Sequence, residues 1–380
     1  ISYSLYLWHW GVLSISRWTI GVHWWSVPFQ LALMTGLAIT SYRYIENPLR
    51  KRSWFGNRWK TFAIGSGIVG VISVSLAIMG KTNKLVFLGP DTDPYSRNQV
   101  TKHTDNRHCD FRRSNTFDPE KCNYGLLGEV DNINPQSFYF VGSSHAGTLS
   151  GMIGSLEIKE STNLYSLYVG ATFFPPLKSN FFPEGYRSQP EKYNQNQRKI
   201  LRFIAKSAKG GDVVVISNHL ELFGTPTSPI PANHNEIVRQ YFYNLEKFTS
   251  EMRILDVDVV LIGPMPYFVN LKKFIDNTLN CQPKWFKKID ANCVQSFQRQ
   301  KLIDSNKTIN EFSYSWEDSF DNAYYFKVFD YFCPPRNYSC DNRVNGKIYM
   351  YDQDHLNFYG GQFLSSRFFE FIQSKGLFLR

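Results

Sequence analysis

From Ser137 to the C-terminus, short β-branched and aromatic runs alternate with stretches of helical period, and this alternation leaves few folds open. Strands are expected at 137–141, 163–169, 212–217, 257–262 and 325–330. Helices are expected at 146–158, 191–208, 235–253, 291–311 and 359–374. Such an order predicts an α/β domain, a three-layer arrangement of one parallel sheet with helices on both faces. In sheets of this kind function gathers at the carboxyl ends of the strands. No internal repeat, low-complexity tract or glycine-rich nucleotide fingerprint interrupts the pattern.

The first strand end carries the most chemistry. After Ser137-Phe138-Tyr139-Phe140-Val141 the chain turns on Gly142, and Ser143, Ser144 and His145 open the expected helix. A serine hydroxyl there can attack a carbonyl beside free backbone N–H groups. Gly-Ser-Ser alone is also an ordinary turn and helix cap. Far downstream stands Asp352-Gln353-Asp354-His355-Leu356. Asp352 and His355, three residues apart, share one side of a turn, so the carboxylate can fix one imidazole tautomer and stabilise its protonated form. Histidine exchanges a proton near neutrality, as a base acting on Ser144 must. Asp354 competes for the acidic role, and His145 and His219 are alternatives to His355. Acyl transfer also needs donors for the developing oxyanion. The candidates are the N–H of Ser144, the N–H of Gly170 and the side-chain amide of Asn218. Gly170 could equally be a turn glycine and Asn218 a cap.

The N-terminal part differs in character. Of 42 basic and 32 acidic residues in the chain, residues 1–84 hold nine and one, leaving 33 against 31 for the rest. With no basic stripe left after residue 84, the net charge of +10 gives no case for nucleic acid. Its meaning is membrane topology. Residues 61–80 form an uncharged apolar run of about bilayer length; 27–42 and 1–20 are two weaker candidates. Arg50, Lys51, Arg52, Arg58 and Lys60 lie between the last two spans, which puts that loop in the cytoplasm and everything after residue 80 outside. All six cysteines (109, 122, 281, 293, 333 and 340) follow the last apolar run. An even count on the outer side suits an oxidising compartment such as a bacterial periplasm. Pairing between neighbours is the simplest of fifteen connectivities. The expected organisation is therefore transmembrane helices over 1–84, a linker or extension over 85–136, and a catalytic domain over 137–380. Because the sequence opens on Ile1 within an apolar stretch, a longer parent protein is expected.

Gly142-Ser143-Ser144-His145 after the first strand, with Asp352-Gln353-Asp354-His355-Leu356 near the end, resembles the SGNH hydrolase superfamily. Phe329-Asp330-Tyr331-Phe332-Cys333-Pro334-Pro335, with Cys340 and Gly346-Lys347-Ile348-Tyr349, is similar to SGNH domains fused to bacterial type-three membrane acyltransferases. Ala171-Thr172-Phe173-Phe174-Pro175-Pro176-Leu177 resembles a further block of that group. Ser2-Tyr3-Ser4-Leu5-Tyr6-Leu7-Trp8-His9-Trp10 and Tyr44-Ile45-Glu46-Asn47-Pro48-Leu49-Arg50 resemble the closing segments of the membrane domain. The resemblance implies Ser144 as nucleophile, with His355 and Asp352 as its relay, and Gly170 and Asn218 near the oxyanion blocks. Two departures stand out. Ser143 occupies a position where the family has Asp, and of the Gly-x-Asn-Asp block only Asn218 remains.

The resemblance further implies a bacterial inner-membrane O-acyltransferase whose periplasmic domain modifies a surface saccharide such as O-antigen, most simply with acetyl. Its expected partners are the saccharide acceptor, the lipid bilayer and a preceding membrane acyltransferase domain that draws on cytoplasmic acetyl-CoA. No cofactor or metal is expected in the outer domain. A carbohydrate esterase and a non-catalytic saccharide-binding module are the alternatives.

Overall fold

The structure is a computed structural model. It describes residues 2–18, 22–51, 58–81, 109–111, 117–125, 135–170, 172–177, 190–220, 234–268, 294–350 and 352–378. The chain divides into two compact units: Ile1–Asp91 with Pro283–Ile289, and Thr92–Gln282 with Asp290–Arg380.

The first unit is helical. Helix Ser2–Trp18 packs on helix Val27–Ser41, which starts with Pro at its first turn and buries Gln30, Met34 and Ala38. Pro suits that place because its missing N–H would have no helical partner there. Glu46 accepts a 2.7 Å hydrogen bond from the Ser4 hydroxyl. Helix Arg58–Lys81 follows, and every described side chain from Phe62 to Ile78 is exposed. Among the described residues, no helix is long and apolar enough to cross a membrane. The spans expected at 1–20 and 27–42 fall on helices of 17 and 15 residues, short of the roughly 20 a crossing needs. The span expected at 61–80 falls on Arg58–Lys81, but the side chains of Thr61 and of residues 79–81 lie outside the described set.

The second unit is built on strands β1 (Ser137–Gly142), β2 (Asn163–Tyr168), β3 (Val213–Ser217), β4 (Asp258–Ile262), β5 (Ser296–Gln298) and β6 (Ala323–Phe326). Five of them form one parallel sheet in the order β2-β1-β3-β4-β6. β5 instead pairs antiparallel with Ser339–Asp341. Strand alternation sorts the core into two layers. Tyr139 and Val141 of β1 join Val214, Ile216, Val259 and Leu261 in one cluster under helices Pro190–Ser207, His234–Ile254 and Arg299–Ser319. Phe140 points to the opposite face, where its ring meets Phe368 at 6.0 Å on helix Phe358–Ser374. Helices thus cover both faces, and the buried runs read as continuous apolar stretches for that reason.

Four of the five expected sheet strands are observed within one residue at each end. The fifth is displaced: the strand is Ala323–Phe326, and Phe329–Phe332 is a helical turn. Asp330 in that turn pairs with Arg299 at 2.6 Å and Lys327 at 3.0 Å, which draws the aromatic run out of the sheet. The helix expected at 291–311 is Arg299–Ser319, because β5 takes its start and Ile309 and Trp316 extend its buried stripe. The helix expected at 146–158 is broken into Ser144–Thr148, Ser150–Ile153 and a 3-10 turn at Glu157–Glu160. The break lets Gly151 approach the C-terminal helix so closely that a Cβ there would stand 2.1 Å from the Phe358 carbonyl oxygen.

Parts of the expected extension 85–136 lie on the sheet. Asp110 bridges Tyr168 in parallel, the Phe111 N–H donates to the Tyr168 carbonyl at 2.9 Å, and the Tyr124 N–H donates to that of Leu164. The Cys109–Cys122 disulfide closes this segment, and Cys333–Cys340 ties the region after β6. Both are pairs of sequence neighbours, as expected; Cys281 and Cys293 lie outside the described residues.

Gly142 is the residue on which the first strand leaves the sheet. Its φ is +146°, and a Cβ would stand 1.9 Å from the Ser217 carbonyl oxygen of β3. Gly142→Ala is therefore expected to lower stability by more than about 2 kcal/mol, since strain and overlap with backbone add. Denaturant unfolding measures this; a loss below about 0.5 kcal/mol would show that the turn can relax.

Candidate active site

In the order β2-β1-β3, the sheet winds in opposite directions from β1, so the ends of β1 and β3 flank a switch point. Ser144 comes from the first of these ends, Asn218 and His219 from the second. The third contribution is the bend 352–355. It is fixed on three sides: Met350 bridges Leu356, the Asn357 N–H donates to the Tyr349 carbonyl at 2.9 Å, and the Phe268 N–H donates to the Gln353 carbonyl at 2.8 Å. Asn357 then caps the last helix by accepting from the Gly360 N–H at 2.8 Å.

These elements bring three expected side chains into line. His355 Nε2 lies 2.7 Å from Ser144 Oγ. On the other side of the ring, Nδ1 lies 2.9 and 2.8 Å from the two Asp352 oxygens. Asp352 Oδ1 is itself held by the backbone N–H groups of His355, at 2.8 Å, and Asp354, at 3.2 Å. The proton of His355 is thereby directed to Nδ1, which leaves Nε2 to accept from the serine. Arranged in this way, the imidazole can take the Ser144 proton as the oxygen attacks a carbonyl, and the carboxylate can balance the resulting charge.

Asp354 does not replace Asp352. It lies deeper, 5% exposed, with Oδ2 at 3.1 Å from His219 Nε2 and 3.9 Å from His145 Nε2, and Oδ1 at 3.3 Å from His355 Nδ1. Burial would raise its pKa, but His355, His219 and His145 outweigh that and hold it well below the ordinary carboxylate value. Burial would likewise lower His355; Asp354 and Asp352 overcome this and raise it to about 9. His145 and His219, the alternatives to His355, thus face Asp354. Three of these groups, His145, Asp354 and His355, place ligand-type atoms within 4.8 Å of one another, a spacing that occurs in metal sites. Both nitrogens of His355 are already engaged, by Ser144 and by the carboxylates, so the geometry is that of a hydrogen-bonded relay.

The oxyanion candidates are arranged differently from expectation. The Gly170 N–H donates to Asp110 Oδ1 at 3.1 Å, which holds the edge segment in place. Asn218 donates from Nδ2 to the Phe174 carbonyl at 2.7 Å and to the Tyr241 hydroxyl at 2.9 Å, while its Oδ1 accepts from the Phe174 N–H. Both are engaged in fastening loops. Of the three expected donors only the Ser144 N–H is left uncommitted among the described residues. Ser143, where the family has Asp, accepts from the N–H groups of His145 at 3.3 Å and His219 at 3.1 Å, joining the two strand ends. That His219 and Asp354 meet has no local signature, because 134 positions separate them and no spacing rule links them.

The fold is thus a doubly wound α/β domain with a serine, a histidine and a carboxylate in hydrogen-bonded sequence at its switch point. Residues 108–370 match the family described as "SGNH domain (fused to AT3 domains)", and the chain belongs to that family. No curated protein matches it in sequence. Among solved structures it is similar to the periplasmic domain of the lipopolysaccharide acetyltransferase of Salmonella ser. Paratyphi A. The identity is 19%, over 66% of this chain and 87% of that one, with a TM-score of 0.41, a likeness too distant to bear on mechanism.

Proposed function

We propose that this chain is an O-acyltransferase, most simply an O-acetyltransferase, acting on a cell-surface saccharide such as lipopolysaccharide O-antigen through an acyl-enzyme on Ser144. The observation that carries this reading is the 2.7 Å contact between Ser144 Oγ and His355 Nε2, continued to Asp352 through Nδ1. In the first half-reaction Ser144 Oγ bonds to the acyl carbon, its proton passes to His355 Nε2, and the donor's leaving group departs with that proton. In the second, a sugar hydroxyl attacks the acyl carbon, its proton passes to His355 and then to Ser144 Oγ, and the ester is released. Membership of a family of SGNH domains fused to AT3 domains supports transfer, and this reading assigns cytoplasmic acetyl-CoA as the ultimate donor.

Two observations support a periplasmic domain next to the inner membrane. One is the presence of disulfides in the second unit. The other is the match of residues 108–370 to a family of SGNH domains fused to AT3 domains.

Incubation with p-nitrophenyl acetate followed by intact-mass analysis tests the reading. One acetyl group should appear, on the Ser144 peptide. Because His355 must be neutral to accept a proton and is raised to about 9, the acylation rate should climb from pH 7 and reach half its plateau near pH 9. Acetyl found on other residues only, or a rate independent of pH across that range, would overturn it.

A further inference from the structure

The surroundings of His355 hold more than a serine-activating imidazole requires. Asp352 already takes the Nδ1 proton through both oxygens. Behind it a second carboxylate, Asp354, is shared among three imidazoles, two from strand ends and one from a bend. His355 comes from the 352–355 bend, His145 follows β1 and His219 follows β3. The rings are layered: His145 and His219 stack at 4.8 Å and 17°, and His145 and His355 sit at 4.9 Å and 34°. Tyr267, after β4, stacks on the outer side of His219 at 6.4 Å.

The hydrogen bonds assign the protons. Ser143 Oγ accepts two backbone N–H groups, so its own hydrogen is directed to His145 Nδ1 at 3.4 Å. His145 then carries its proton on Nε2, on the side of Asp354. His219 Nε2 lies 3.1 Å from Asp354 Oδ2, an ion-pair distance. One buried negative charge therefore serves both His355, through Oδ1, and His219, through Oδ2. Among the described residues, the charged and titratable groups facing this pair are Asp352 and Asp354 from the bend, His145 from the turn after β1 and Tyr267 after β4.

We propose that Asp354 is a positioning residue that links His355 to His219, so that a proton on His219 weakens the hold of Asp354 on the imidazolium of His355. The link rests on the reading of His355 as the base at Ser144. Its physical ground is that two cations competing for one anion inside a protein also repel each other, and their titrations are no longer independent. His219 and His355, about 15% and 14% exposed, are the members through which the medium or a bound acceptor would reach the relay.

The test is histidine titration, which does not depend on turnover. The full 380-residue chain in detergent, labelled at histidine Cε1, carries eight histidines, each assigned by its His→Gln variant. Asp354→Asn should lower the His355 midpoint by at least about one pH unit. His219→Gln should raise it, since a competing positive charge is gone. In the double variant, adding His219→Gln should raise the midpoint by less than it does with Asp354 present, because the part of its effect that passes through that carboxylate is gone. A purely structural role would change rates or stability without moving the midpoint in opposite directions. If neither single variant moves it, or if the double variant shows the two shifts added, the proposal falls. Should Asp354→Asn fail to fold, an unmoved midpoint in His219→Gln overturns it by itself. Opposed shifts in a protein that never acylates Ser144 would keep the link and reject the acyl-enzyme.

Discussion

Under the proposed function, replacing Ser144 by alanine is expected to abolish acyl-enzyme formation and to strip the cell's surface saccharide of the acetyl groups that this protein would add. The variant keeps the fold, because the Ser143 cap and the Gly142 turn are untouched, and loses only the oxygen that His355 faces at 2.7 Å. Loss of a nucleophile in a serine–histidine–carboxylate array costs on the order of 10³- to 10⁶-fold in rate. Mass analysis of the saccharide from cells carrying the wild-type or the alanine protein reads the outcome. Acetyl lost in the variant supports transfer, and acetyl gained identifies an esterase. Acetylation that persists in both Ser144→Ala and His355→Ala would leave a saccharide-binding module with no chemistry of its own.

The second large effect is expected at Asp352. An asparagine there offers an N–H where His355 presents its Nδ1 proton, so the ring is driven to the tautomer that carries hydrogen on Nε2 and cannot accept from Ser144. Arrays with a single orienting carboxylate lose about 10⁴-fold by this change. Here Asp354 Oδ1 stands 3.3 Å from the same Nδ1 and can retain part of the correct tautomer. Asp352→Asn should therefore lower single-turnover acetylation of Ser144 by about 10²- to 10³-fold, and the Asp352→Asn, Asp354→Asn double variant should complete the loss to about 10⁴-fold. An Asp352→Asn rate within tenfold of wild type would remove Asp352 from the relay.

What could be read in advance follows from how local each signal is. β1 to β4 are runs of Val, Ile, Leu and aromatics bounded by turns, and their burial on both faces leaves no other period to fit. β6 was harder because its aromatics continue without a break into Phe329–Phe332, and only ion pairs to Asp330 from distant Arg299 and nearby Lys327 decide where the strand stops. Asp352 and His355 are three residues apart, so their meeting is written in the spacing. Ser144 meets them only through the parallel order of the sheet. The hydrogen bonds of Gly170 and Asn218 could not be foreseen, because their partners, Asp110 and Phe174, are brought in by loops that leave no periodic trace. The same holds for Asp354, whose three imidazoles come from segments that only the folded sheet brings together.

The segment that runs beside β2 carries a consequence for how the protein is made. An open sheet flank is a template on which another molecule can lay its own backbone. Here the chain occupies that flank itself, through the contacts of Asp110, Phe111 and Tyr124, in a short stretch clasped by Cys109 and Cys122. A thiol-rich cytosol would leave the clasp open and the flank bare while the core is still forming. Under the proposed periplasmic placement, export ahead of folding would also protect the domain against self-association.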